Sequence, residues 1–161
     1  MKYIGHSYNY NIGAAEPIVV PYVKANEKAQ PPTQADKLSA GYDLYAVISE
    51  PITIKPGETV KISTGLKMAF PVRTFGAIFA RSGIATKKGL APINGVGVID
   101  SSYRGEIIVA LHNYSNEEQT VSPRDRIAQL IVLPYCNISY QVVDELDNTE
   151  RGEGGFGHSG T

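Results

Sequence analysis

The chain has 161 residues, 42% of them hydrophobic, which suits one globular domain with a single buried core. Its formal net charge of −1 argues against general binding to nucleic acids or membrane surfaces, which needs a broad basic field, although a small site can be locally basic. The first residues lack the apolar run of a signal peptide, and no segment approaches the roughly 20 apolar residues that span a bilayer, so we expect a cytoplasmic protein.

The predicted elements are short strands separated by turn residues. In chain order, the strand-like segments are 18–23, 52–54, 58–64, 66–70, 75–80, 106–111, 127–133 and 139–143. In the segment 58–64, apolar and polar residues alternate as in a strand with one buried face. No segment has a sustained helical period, and the best candidate for a short helix is 81–88. The pattern predicts an all-β sandwich or barrel with at most one short helix.

The chain divides into three parts. Residues 1–16 are polar, rich in Tyr, Asn and Gly and without a clear period, so we interpret them as an N-terminal extension. Residues 17–150 form the β domain. Residues 151–161 contain five glycines and predict a flexible C-terminal segment that adds little to the core.

Several common catalytic patterns are missing from the sequence. It has no P-loop and no HExxH motif, and its three histidines are too scattered to suggest a triad or a metal cluster. The single cysteine, Cys136, cannot form an internal disulfide, and we expect it to be a buried or partly buried thiol. What remains are five polar segments, four of them with glycine, that lie beside, between or after the strands.

The first two segments are AGYDLYA at 40–46 and ARSGIA at 80–85. In the first, Gly41 would turn the chain and Asp43 would cap a backbone group. In the second, Arg81 offers a fork of donors, Ser82 a hydroxyl and Gly83 an unobstructed N–H, which together suit a phosphate group. A capped helix beside a surface arginine explains the second segment equally well.

The third segment is GVGVIDSSYRGE at 95–106, an apolar run that ends in Asp100. A carboxylate placed directly after such a run is expected to be partly desolvated, which would make it a stronger base. The alternative is that residues 100–103 only form the turn of a β-hairpin, with the aspartate bonded to its own backbone.

The last two segments are RDRIAQL at 124–130 and RGEGGFGHSG at 151–160. Gln129 is a polar residue among apolar ones and needs a partner, either the backbone or a ligand. The glycine-rich tail is either disordered or folds over a bound nucleotide, with its aromatic residue on a base and its amides on phosphate.

In order and in spacing, the five segments resemble the five motifs of the trimeric dUTPase family, and the resemblance covers about residues 18–161. It implies a jelly-roll-like β fold and a homotrimer with sites at subunit interfaces, closed by the C-terminal motif. It also implies hydrolysis of the substrate dUTP to dUMP and pyrophosphate, with the cofactor Mg²⁺ held mainly on the triphosphate. Such an enzyme limits uracil incorporation into DNA and supplies dUMP for dTMP synthesis.

The resemblance also implies roles for individual residues. Asp100 resembles the general base that activates water at the α-phosphorus, Tyr103 the residue under the deoxyribose, and Asp43 the carboxylate that reaches Mg²⁺ through water. The residues that resemble the uracil-reading groups are Asn94, Val98, Ile99 and Ile108. Those that resemble the phosphate binders are Arg81, Ser82, Gly83 and Gln129. Those that resemble the closing lid are Arg151, Phe156, Gly157 and Ser159, with Phe156 over the uracil ring.

Two alternatives stay open on the same motifs. One is a dCTP deaminase, or a bifunctional deaminase–dUTPase, on the same fold; the other is a regulatory protein that keeps the nucleotide site as a sensor. The chain departs from the family pattern at Arg124, where many relatives have glycine, which would alter the turn before Asp125.

Overall fold

A computed structural model describes residues 17–155. Within this range the secondary structure is mostly strand, with a single short helix, as the sequence predicted. The strands are β1 (Tyr22–Lys24), β2 (Tyr42–Tyr45), β3 (Ile52–Ile54), β4 (Thr59–Ser63), β5 (Leu66–Met68), β6 (Thr74–Phe79), β7 (Leu90–Pro92), β8 (Gly97–Asp100), β9 (Ile108–Asn113), β10 (Gln119–Val121) and β11 (Arg126–Pro134). The helix, α1 (Ser82–Lys88), joins β6 to β7.

The described strands pair antiparallel in four sheets. The largest has the order β2-β11-β6-β8, a three-stranded sheet has the order β4-β9-β7, and β1-β5 and β3-β10 form two-stranded sheets. Apolar residues of the two larger sheets share one core, in which Leu44, Ile62 and Leu111 are fully buried. On β9 the buried residues alternate with more exposed ones, as expected for a strand with one face on the core. Truncating Leu111 to alanine would cost about 2–5 kcal/mol of stability.

The helix α1 matches the predicted segment 81–88 and has a clear stop signal. Gly89 follows it in the left-handed conformation, with φ 63°, and its N–H donates to the carbonyl of Ala85. Lys87 and Lys88 in the last turn complement the helix dipole. The helix therefore begins immediately after Arg81, which is its N-cap residue.

The strand predicted at 139–143 is wrong for the described chain. Residues 135–146 continue beyond β11 without a ladder partner, and most of their apolar side chains are exposed. A strand needs a neighbour for its backbone groups, so an alternating sequence alone does not produce one. Cys136 lies in this segment and is exposed, not buried as expected.

The simple hairpin suggested for the segment 95–106 is also wrong. Strand β8 pairs with β6, whereas β9 pairs with β4 and β7, so the loop 101–107 crosses from one sheet to another.

In residues 17–155 no helix is long and apolar enough to cross a membrane. The cytoplasmic location and the domain bounds at residues 16 and 150 stay predictions.

Candidate active site

Asp43 organises the first half of the candidate site. It lies on β2 opposite Gln129 of β11, and Gln129 lies opposite Phe79 of β6. Its carboxylate is buried and accepts hydrogen bonds from Nε and Nη2 of Arg81 and from Nη1 of Arg126, the last at 3.1 Å. A buried carboxylate requires such partners. Asp43 therefore holds two guanidinium groups at one end of the sheet, and does not cap a backbone group as the sequence suggested.

A cavity of about 290 Å³ lies beside these arginines. Its lining includes Arg81, Arg126, Lys87 and Lys88, with Asp125 as its acidic member. The excess of positive charge favours an anionic ligand with several oxygens, such as a phosphate chain.

Ser82 and Gly83 form the first turn of α1 beside this cavity. Both are exposed, the N-cap has no side-chain hydrogen bond, and a Cβ on Gly83 would meet no atom within 4 Å. The N–H groups of a first helical turn have no intrahelical acceptor. The predicted phosphate binders Arg81, Ser82 and Gly83 thus lie together at the start of α1, with open space beside Gly83 and with Arg81 held by Asp43.

Gln129 completes this half of the site. Its Nε2 donates to the carbonyl of Ala80 at 2.8 Å, so the backbone is the partner that this polar residue needed. A Cβ on Gly41 would lie 3.0 Å from Cδ of Gln129 and closer still to its Oε1. A side chain at position 41 would therefore displace the end of Gln129, so Gly41 leaves space for that amide and does not form a turn.

A second cavity, of about 190 Å³, opens where β8 and β9 separate into different sheets. It is lined by Val98, Ile99, Asp100, Tyr103, Glu106 and Ile108. Five of these six are predicted site residues. Asn94 lies outside this lining, in the turn between β7 and β8.

Asp100 is exposed in this chain, so the partly desolvated carboxylate expected from the sequence is not present. The reason is its place at the end of β8, which is the edge strand of its sheet. Its backbone carbonyl accepts the N–H of Tyr103 at 3.0 Å, which forms the turn that the sequence predicted at 100–103.

The two halves are well separated within one chain. Asp100 lies opposite Phe75 and Gln129 lies opposite Phe79, so they occupy opposite ends and opposite sides of β6. Four residues of strand span about 13 Å. A single chain therefore does not bring Asp100 to the cationic cavity.

The model for the dUTPase family matches residues 27–160. The chain belongs to the dUTPase family. Among curated relatives, a deoxyuridine 5'-triphosphate nucleotidohydrolase of Desulfitobacterium hafniense is 47% identical over 144 residues, covering 89% of this chain and 95% of the relative. The enzyme of the same name from Idiomarina loihiensis is 48% identical over 130 residues, covering 80% of this chain and 86% of the relative.

The fold of this dUTPase-family chain resembles solved phage dUTPases. A single-residue mutant of the Staphylococcus bacteriophage 80alpha dUTPase, solved with dUpNHpp, is 25% identical with a TM-score of 0.79, over 89% of this chain and 99% of that one. A mutant dUTPase from phage phi11 of S. aureus, described with a structural Mg(II) ion, is 22% identical with a TM-score of 0.69, over 79% and 97% of the two chains. The expected jelly-roll-like β fold is confirmed by this likeness.

Two carboxylates at or near the cationic cavity are the groups of this dUTPase-family chain that could contact a metal ion. Among residues 17–155, no group of three or more His, Cys, Asp or Glu residues could hold a metal ion. Mg²⁺ is commonly bound by phosphate oxygens, water and only one or two carboxylates. Asp125 lines the cationic cavity, and Asp43 lies behind it with both its oxygens accepting from arginines.

The predicted lid is only partly within the described range. Arg151 is exposed, and its Nε donates to the carbonyl of Gly154 at 2.8 Å. Gly152 has a φ of 50°, and its N–H donates to the carbonyl of Thr149 at 3.0 Å. The start of the motif is thus a local turn. Phe156, Gly157 and Ser159 lie outside the described residues.

Proposed function

We propose that the chain hydrolyses dUTP to dUMP and pyrophosphate at sites shared between the subunits of a homotrimer. The observation that carries this proposal is that one chain of the dUTPase family holds two complementary half-sites. One is a cationic cavity anchored on Asp43, and the other is a smaller cavity edged by Asp100 and Tyr103. The phage 80alpha dUTPase bound to a dUTP analogue supports the choice of substrate.

The separation of the half-sites supports the assembly. Because Asp100 and Gln129 lie beside opposite ends of β6, a complete site would combine the phosphate half of one subunit with the nucleoside half of another. In a closed ring of three subunits, one repeated contact forms three equivalent sites. Ile138, Tyr140, Val142 and Leu146 are each more than 60% exposed, which leaves apolar surface for burial between subunits.

Asp100 is proposed as the general base for the hydrolytic step. It takes a proton from a water molecule as the water oxygen bonds to the α-phosphorus. The bond from that phosphorus to the α–β bridging oxygen breaks, and pyrophosphate leaves with the electron pair. The exposure of Asp100 in one chain leaves it accessible to a substrate held by a neighbour.

The phosphate chain would be held by the cationic half-site. Arg81 would donate from Nη1, the nitrogen that does not bond to Asp43, and Ser82, Gly83 and Gln129 would surround the phosphates. Mg²⁺, when bound, neutralises charge on the phosphate oxygens, and Asp43 would reach it through water.

Selection for deoxyuridine would come from the smaller cavity. Backbone groups of Val98, Ile99 and Ile108, together with Asn94, would read uracil by a fixed set of donors and acceptors. Cytosine reverses that polarity at position 4 and would leave buried groups unpaired. Tyr103 would lie under the deoxyribose, where a 2'-hydroxyl clashes.

The C-terminal segment would close over the nucleotide and exclude bulk water. Its lid residues are Arg151, Phe156, Gly157 and Ser159.

The test is release of pyrophosphate from dUTP in the presence of Mg²⁺. The wild-type chain is expected to turn over dUTP, and Asp100→Asn to lose most of the rate while still binding nucleotide. Glu50→Gln, the equivalent change at an exposed site between β2 and β3, is the control and should keep the wild-type rate. Full activity of Asp100→Asn contradicts the mechanism.

Two assays run in parallel separate the remaining outcomes. Ammonia release from dCTP would identify a deaminase on the same fold. Tight binding of dUTP without turnover by the wild-type chain would identify a nucleotide sensor.

A further inference from the structure

The loop that carries Tyr103 is fastened to a distant part of the chain by the side chain of Glu106. One oxygen of this carboxylate, Oε1, accepts the N–H of Gly65 at 2.9 Å and also the hydroxyl of Ser63. Hydrogen bonds to an ionised acceptor are stronger than those between neutral groups. The loop 101–107 is therefore tied to the turn between β4 and β5, about 40 residues earlier in the chain.

The turn that receives Glu106 is itself tightly placed. Gly65 has a φ of 65°, and a Cβ at this position would lie 2.8 Å from Cβ of Ala29. Thr64 is buried, and its hydroxyl donates to the carbonyl of Ile107 at 2.6 Å. The N–H of Ile107 donates in turn to the carbonyl of Leu66 at 2.8 Å. These contacts fix the turn, so it restrains the backbone at residues 106 and 107.

Tyr103 depends on that same stretch of backbone for its orientation. Its hydroxyl donates to the carbonyl oxygen of Glu106 at 3.0 Å. Its ring lies against Gly105, where a Cβ would be 2.9 Å from Cε2 and closer still to Cζ and the hydroxyl oxygen. Any shift of the peptide at 105–106 is therefore passed directly to the tyrosine ring.

We infer that Glu106 is a positioning residue that sets discrimination between 2'-deoxyribose and ribose. It holds the peptide at 105–106 against the β4–β5 turn, and this peptide holds Tyr103 at the wall of the smaller cavity. The Tyr103 side chain can exclude one hydroxyl group by a steric clash only if it cannot move away by about 1 Å. The inference rests on the proposed function, because it takes the smaller cavity as the nucleoside site.

The experiment measures dissociation constants of the full-length wild type and its variants for dUMP and UMP. In Glu106→Ala, the ratio of the UMP constant to the dUMP constant should fall about tenfold, because the loop loses both hydrogen bonds that this carboxylate accepts. Glu106→Gln keeps an oxygen acceptor for Gly65 and should retain most of the ratio. Glu118→Ala, on the exposed loop between β9 and β10, is the matched control and should leave the ratio unchanged.

A merely structural role for Glu106 predicts a different result. Both constants would then rise by the same factor in Glu106→Ala, and the unchanged ratio would overturn the inference. Tyr103→Phe serves as a second variant, because it removes only the hydroxyl that donates to Glu106 and leaves the carboxylate anchor in place. It should also lower the ratio, and a wild-type ratio in Tyr103→Phe overturns the inference even if Glu106→Ala does not fold. Failure of the wild type to hydrolyse dUTP would instead reject the proposed function, which is a separate readout.

Discussion

Asp43 on β2 holds the guanidinium group of Arg81, the residue that immediately precedes α1, through both its Nε and its Nη2. The contact joins the sheet to the start of the helix, and Arg126 adds a second cation to the same carboxylate. The buried aspartate therefore fixes the orientation of both guanidinium groups in the unliganded chain.

Replacing Asp43 with asparagine should weaken phosphate binding without removing a phosphate ligand. The amide keeps one oxygen acceptor but loses the charge that attracts two arginines, and hydrogen bonds to charged groups contribute about 1.5–3 kcal/mol. We expect kcat/KM for dUTP to fall roughly 10- to 100-fold. Steady-state kinetics checks this, and a wild-type kcat/KM in Asp43→Asn would show that the carboxylate does not direct the arginines.

Gly41 should resist substitution even by alanine, because its Cβ would enter the space of the Gln129 side chain. The end of Gln129 would have to shift and give up its hydrogen bond to Ala80, a loss of about 0.5–1.5 kcal/mol. Urea unfolding of Gly41→Ala should show that loss, whereas Gly83→Ala, whose Cβ meets nothing within 4 Å, should stay within about 0.5 kcal/mol of the wild type. Equal stability of the two variants would contradict the proposed packing of Gln129.

Arg124 stands where the family pattern led us to expect glycine, and its contacts stabilise it there. Its φ is 69°, in the left-handed region, and its N–H donates to the carbonyl of Ala46 at 2.9 Å. With the Gln30 amide oriented to satisfy both side chains, Gln30 accepts from Nε and Nη2 of Arg124 at 2.7 and 2.9 Å. These bonds offset the backbone strain.

Two substitutions at this position separate strain from hydrogen bonding. Arg124→Ala loses the bonds to Gln30 and keeps the strained conformation, whereas Arg124→Gly loses the bonds and relieves the strain. Arg124→Ala should therefore be the less stable variant by about 1 kcal/mol. Thermal unfolding of both proteins checks the order, and a more stable alanine variant would reverse the explanation.

Removal of residues 151–161 should separate catalysis from folding. Within the described part of this segment, the hydrogen bonds of Arg151, Gly152 and Gly154 reach no farther than Thr149. The truncated chain should keep the wild-type unfolding midpoint and oligomeric mass, yet lose roughly 100-fold or more in turnover because lid donors to the phosphates are gone. Dissociation of the oligomer on truncation would contradict the assignment of this segment as a lid.

Much of the fold follows from local patterns, and the parts that do not have physical reasons. The segments 75–80 and 127–133 alternate or run apolar long enough to predict β6 and β11 within a few residues. Strands β7 and β10 were not predicted. Neither three-residue segment shows the apolar–polar–apolar alternation of Ile52–Ile54, which predicted the equally short β3. The segment 139–143 has the alternation of polar and apolar residues that is typical of a strand. It has no ladder partner in the described chain, so it does not form a strand there.

The candidate site was predictable where the family motifs name a residue, and less so where the contact is long-range. Arg81, Ser82 and Gly83 are consecutive at the start of α1, and Gln129 is bonded to the neighbouring Ala80, so the sequence places the first three together and the sheet adds the fourth; their role as phosphate binders stays a prediction. Glu106 was missed because the partners of its carboxylate lie about 40 residues away and no local pattern marks them. The exposure of Asp100 could not be predicted, because it depends on the edge position of β8.

Complementation between two inactive variants tests most directly whether the chain hydrolyses dUTP at shared sites. Asp100→Asn removes the proposed base, and Arg81→Gln removes the anchored phosphate ligand of the other half-site. When the two are co-refolded in equal amounts, a site that takes its phosphate half from one variant and its nucleoside half from the other is intact. Random assembly of a ring predicts recovery of about a quarter of the wild-type rate. A mixture that stays as inactive as either variant alone would contradict shared sites.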